Sequence, residues 1–100
     1  MQKTKFVTYE LAIELYQGCQ KIKAKAVIRD QLERASLSAV LNLSEGAGKP
    51  TRPDKRRFYA IAYGSIRETQ SILRLLGQNE LFGKADILGA HAYQLMKNTL

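Results

Sequence analysis

Cysteine is nearly absent from this sequence: Cys19 stands alone and has no partner for an internal disulfide. With one histidine beside it, His91, the chain lacks the usual four cysteine and histidine ligands of a structural zinc site. A di-iron bundle sets Glu-x-x-His pairs on inward helix faces, and here Leu88 takes the glutamate position before His91. Neither a metal nor another cofactor is expected. Cys19 reads as a small buried apolar residue and His91 as a flank or surface residue. The phosphate-binding loop G-x-x-x-x-G-K-[ST] fails twice. At Gly48-Lys49 its first and last positions are Leu43 and Pro50, and at Gly83-Lys84 they are Gln78 and Ala85. Long apolar runs are missing too, so no membrane span is expected. The N-terminus has no apolar block followed by small residues, which argues against a signal peptide. These absences make a bacterial-type cytoplasm the expected setting.

Acidic residues are the scarcer charge. Sixteen lysines and arginines against nine aspartates and glutamates leave a formal charge of +7. That balance attracts polyanions over long range, although a basic solvated surface has the same composition. Apolar residues form 45% and charged residues 25% of the 100, an ordinary globular mixture for a single domain over 1–100. A chain of this size buries roughly 60–70% of its unfolded surface, enough for one core.

No segment alternates as a strand does, and apolar spacing predicts helices over about 8–24, 29–47, 52–78 and 84–98. Thr8 is placed to cap the first, whose stripe is Leu11, Leu15, Gly18/Cys19 and Ile22. The second carries Leu32, Ala35, Ala39, Leu43 and Gly46, ending at a Gly48 C-cap with Pro50 beyond. Thr51 and Asp54 have capping-box spacing at the third, with Pro53 in its first turn. Its inward stripe reads Phe58, Ile61/Ala62, Ser65, Thr69, Ile72/Leu73 and Leu76. Tyr59, Tyr63 and Ile66 form a flanking stripe, read as a subunit interface or as cover for the core's edge. Gly64, inside this helix, suggests the close approach of a neighbouring backbone. Gly77 to Gly83 reads as a turn with Leu81 and Phe82 folded on the core, and the fourth helix carries Ala85, Leu88, Ala92 and Leu95. Four helices with short links predict an all-α, antiparallel up-down-up-down four-helix bundle.

Two groups of residues stand out as candidate sites. Asn42 and Glu45 lie one turn apart on the second helix, as do Ser65 and Glu68 on the third, with Arg34 and Arg67 placed to pair with the carboxylates. Paired carboxylates carry out acid–base chemistry in many enzymes. With no nucleophile or catalytic histidine near them, they read instead as a structural polar network, and no enzymatic activity is expected. The second group is Lys49, Arg52, Lys55, Arg56 and Arg57, dense in cations where a helix begins. Helix N-termini attract phosphate through free amides, and lysine and arginine contacts make salt-dependent binding to nucleic acid. The alternative is a solvated face on a scaffold that binds proteins or serves structure alone.

Several segments carry a family resemblance. Gln31-Leu32-Glu33-Arg34-Ala35, Ser38 and Asn42-Leu43-Ser44-Glu45-Gly46-Ala47-Gly48-Lys49 resemble a central motif of the bacterial four-helix bundle proteins encoded in 23S ribosomal RNA intervening sequences. Phe58-Tyr59-Ala60-Ile61-Ala62-Tyr63-Gly64-Ser65-Ile66-Arg67-Glu68 resembles the family's next segment, and Tyr9-Glu10-Leu11-Ala12 its first-helix start. Tyr63 stands where a basic residue is common and Lys49 where arginine is. The resemblance implies an antiparallel four-helix bundle assembled as a homopentamer. More distantly, related accessory proteins of diversity-generating retroelements are basic pentamers that bind nucleic acid and a reverse transcriptase. A homo-oligomer that contacts RNA or DNA is therefore the expected function.

Overall fold

A computed structural model describes residues 2–99, with side chains from Lys5 to Thr99. It is all-α. Helix α1 spans Gln2–Cys19, α2 Ala26–Gly48, α3 Arg52–Leu75 and α4 Asn79–Asn98. Helices α1 and α3 each pack against α2 and α4, so every helix has two neighbours around one core. The molecule measures 40 × 21 × 17 Å, the long axis matching the ~36 Å that α3 covers at the standard helical rise. No described helix is long and apolar enough to cross a membrane.

Helix α1 begins before Thr8, which is no cap. Thr8 is fully buried, and Ala12, Leu15 and Cys19 continue its stripe at helical spacing. The helix ends at Cys19 rather than near residue 24. Gln20, Lys21 and Ile22 then tighten the chain with backbone N–H bonds to Tyr16, Gly18 and Cys19. That turn brings Ile22 into the core without further α-helix.

Helix α2 buries the expected stripe of Leu32, Ala35, Ala39, Leu43 and Gly46, and adds Ser36. The Ser36 hydroxyl donates to the Leu32 carbonyl at 2.7 Å, which satisfies a polar group inside an apolar face. Gly48 is the last helical residue and not the cap. Lys49 caps the helix in an extended conformation, φ −77° and ψ 143°, as a residue before proline favours.

Helix α3 starts as expected and stops three residues early. Gly77 adopts φ +70°. The Gln78 and Gly77 amides then reach back to the carbonyls of Leu73 and Arg74, forming a Schellman cap. The same sharp turn lets α4 start at Asn79 instead of residue 84, so Leu81 and Phe82 pack on the core from helical positions. The α4 stripe Ala85, Leu88, Ala92 and Leu95 is buried as expected.

The largest departure is the rotation of α3. Tyr59, Ala62, Ile66, Thr69 and Leu73 are its buried residues, while Ile61 is exposed and Ser65 lies at the seam with α2. Tyr59 and Ile66, read as a subunit interface or as cover for the core's edge, are thus core residues. The cause is Gly46: a Cβ there would stand 2.7 Å from Tyr59 Cε1, so the glycine leaves the volume that the ring fills. Gly64, by contrast, faces open space and marks no close approach.

Candidate nucleic-acid interface

The turn between α2 and α3 is built from Pro50, Thr51 and the cations around them. Pro50 ends α2, and the Thr51 hydroxyl accepts the Asp54 amide at 3.3 Å, capping α3 with Pro53 in its first turn. The five basic residues take different positions on this frame. Lys55 reaches back across the turn and donates to the Ala47 carbonyl at 3.0 Å, with Gly46 O at 3.5 Å, satisfying the free carbonyl end of α2. Desolvation holds its pKa below the usual lysine value, and the charge of Lys5 and a contact with it push the same way.

Lys49 pairs with Glu45 at 3.4 Å and lies 5.0 Å from the centre of the Phe58 ring. The Arg57 guanidinium sits 4.7 Å from the same ring. Phe58 therefore anchors two cations, a favourable arrangement even at a partly exposed site. Arg52 and Arg56 are exposed, and among the described residues neither has a carboxylate partner.

The expected polar network forms only in part. Asn42 donates to Ser38 O at 2.8 Å and lies 3.1 Å from Ser38 Oγ, which meets Ser65 Oγ at 2.8 Å. Thr69 then bonds the Ser65 carbonyl. Glu45, Glu68 and Arg34 are exposed outside this chain of bonds. They point away because the Ser38–Ser65 contact brings the helices together along small side chains, leaving no inward room for long ones. Arg67 also leaves the expected carboxylates. It donates to Tyr63 Oη on its own helix at 3.1 Å and crosses to α4, donating to Asp86 at 3.3 Å with its guanidinium laid over Gly89. The Tyr63 bond first, then Asp86, raises its pKa further. Tyr63 itself packs on Tyr93, ring centres 5.7 Å apart.

Cys19 is buried, and burial pushes its thiol from 9.0 up to about 11, away from nucleophilic use. His91 is half-buried on α4.

Two residues lie ahead of the helix expected from about residue 8 and so outside the sequence-based site. Lys5 and Phe6 belong to α1 and line an open groove of about 380 Å³ with Tyr9, Leu43, Ser44 and Ala47. The signal was present in Lys5-Phe6 followed by Tyr9, a cation and two aromatics on neighbouring helical positions.

No curated protein and no solved structure matches the chain significantly. The family model of the 23S rRNA-intervening sequence proteins matches residues 4–97. That span includes all of α2 and α3 and both sides of the basic turn, and the chain belongs to the 23S rRNA-intervening sequence protein family.

Proposed function

We propose that this chain is a non-catalytic, cytoplasmic, antiparallel up-down-up-down bundle that assembles with its own copies and contacts RNA or DNA through the α2–α3 turn. The exposure of Arg52 and Arg56, without carboxylate partners among the described residues, carries the reading. They flank the capped start of α3, where backbone amides add to the attraction for phosphate. Lys49, Lys55 and Arg57 supply further charge while they hold the turn's shape.

The antiparallel order is supported by contacts that run in opposite chain directions. Ser38 meets Ser65 while the later Gly46 meets the earlier Tyr59. Gln70 meets Asp86 while the earlier Tyr63 meets the later Tyr93. Self-assembly is supported by Leu41 and Ile61, 54% and 44% exposed. Each lies one turn from the Ser38–Ser65 contact, and in this order both fall on the same side of it. Arg34 and Glu68 lie beyond one end of this patch, Glu45 and Arg57 beyond the other, so each end carries both signs. The pentameric count follows from the family resemblance.

Binding to labelled RNA and DNA across a salt series tests the interface. The wild type binds steeply salt-dependently, and Arg52→Ala/Arg56→Ala/Arg57→Ala flattens the log–log slope by about one per cation lost. Absence of binding at low salt overturns the nucleic-acid reading. Light scattering well above 11.3 kDa, reduced by Leu41→Asp/Ile61→Asp, is the expected sign of assembly. A wild-type monomer at micromolar concentration overturns it. The second reading is a protein-interaction scaffold without nucleic-acid affinity, favoured by the structural engagement of Lys49, Lys55 and Arg57.

A further inference from the structure

We propose that the groove between α1 and α2 takes an unpaired base of a single-stranded nucleic acid against Phe6, with the adjoining phosphate between Lys5 and Lys55. This inference rests on the nucleic-acid reading of the adjacent turn and adds to it a preference for single strands. Three observations meet at the groove. Its apolar wall is formed by Phe6, Tyr9, Leu43 and Ala47, and Phe6 is 66% exposed. Its volume of about 380 Å³ lies in the usual small-ligand range of about 300–1,000 Å³. Its rim is cationic: Lys5 lines it, and the Lys55 ammonium, in contact with Lys5, is anchored 3.0 Å from the carbonyl of Ala47, which also lines it.

Neither lysine has a carboxylate partner among the described residues. Two neighbouring ammonium groups without a counter-charge favour an anion between them. An aromatic face beside a cationic rim is the arrangement by which proteins hold single strands, since every base has a stacking face and every linkage a phosphate. In a duplex the same faces are occupied by stacking neighbours, so Phe6 has nothing to receive. A duplex is left with the charges of the basic turn, Arg52 and Arg56 foremost.

The test compares an oligouridylate of about 12 nucleotides, within the usual span of single-strand sites, with an RNA duplex of equal length. Phe6→Ala is expected to weaken oligouridylate binding about tenfold or more and to leave duplex binding unchanged. Lys5→Ala lowers the salt slope for the oligouridylate by about one. The chain contains no tryptophan, so Phe6→Trp installs a single reporter. Its fluorescence is quenched by the oligouridylate and not by the duplex, and its affinity stays near wild type. Equal weakening of both ligands by Phe6→Ala, or of neither, overturns the groove and leaves the basic turn standing. A change of oligomeric state in Phe6→Ala, with nucleic-acid affinity intact, makes the groove a subunit contact and also overturns it. If the wild type binds neither ligand at low salt, the parent reading falls and this one with it.

Discussion

The two seams of α3 solve the same packing problem with opposite chemistry. Against α2, Gly46 makes room for Tyr59; against α4, Gly89 makes room for Arg67. The Tyr59 ring is 1% exposed and its hydroxyl is buried without a hydrogen-bond partner among the described residues. The Arg67 guanidinium is partly solvated and shared among Tyr63, Gln70 and Asp86. The first seam is a rigid apolar fit with a polar flaw. The second is an adaptable polar contact at the surface. Close approach at a glycine therefore says nothing by itself about how much the neighbour can yield.

Gly46→Ala breaks the comparison most sharply. Its new Cβ meets two carbons of the buried Tyr59 ring at 2.7 and 2.8 Å, so the ring or a helix must shift. Destabilisation of about 1–3 kcal/mol is expected in chemical denaturation. Tyr59→Phe removes the unsatisfied hydroxyl and keeps the ring, so it is expected to stabilise by about 1 kcal/mol. A marked loss would mean that the hydroxyl has a partner such as an ordered water. Gly89→Ala meets Arg67 Nη1 at 2.8 Å, the far end of a flexible side chain. The arginine swings out and alanine's helix propensity compensates, leaving a net change within about 0.5 kcal/mol. A loss as large as that of Gly46→Ala would show that the two seams are equally rigid.

The smallest effect is confined to alkaline pH. Tyr59 and Cys19 are both raised by burial, Cys19 from 9.0 to about 11. The native state holds these protons longer than the unfolded chain, so the stabilisation is complete below about pH 9. It is lost as pH rises toward about 11. Denaturation midpoints followed from pH 8 to 11 are expected to fall less steeply in Cys19→Ala than in wild type. Arg67 adds nothing in that window because its charge persists.

Much of the architecture was legible in the chain. The spacing of Leu32, Ala35, Ala39, Leu43 and Gly46 pointed to the buried face of α2, and Ala85, Leu88, Ala92 and Leu95 to that of α4. Those faces are narrow and separated by polar residues, so periodicity alone selects them. On α3 apolar residues surround two overlapping stripes, and spacing favoured the one through Phe58 and Ser65. The volume left by Gly46, a residue of another helix, chose the stripe through Tyr59 and Ile66. In the candidate site, Asn42 and Ser65 were found in one network, but its link is Ser38, and Glu45, Glu68 and Arg34 stay outside. Among the cations, spacing located the cluster and did not separate Lys55, which caps α2, from Arg52 and Arg56, which face solvent.

Local chemistry determined what the sequence could settle by itself: four helices, a proline stop before a threonine cap, a surplus of positive charge and a family motif across α2 and α3. Helix periods and caps depend on residues within a few positions of one another, so they can be read along the chain. Only the tertiary structure decided which side of α3 turned inward, which lysine became a cap, and that Lys5 and Phe6 border the basic turn. Each of these depends on volume and charge brought together from distant parts of the chain, where a missing Cβ or a free carbonyl on one helix selects the side chain of another.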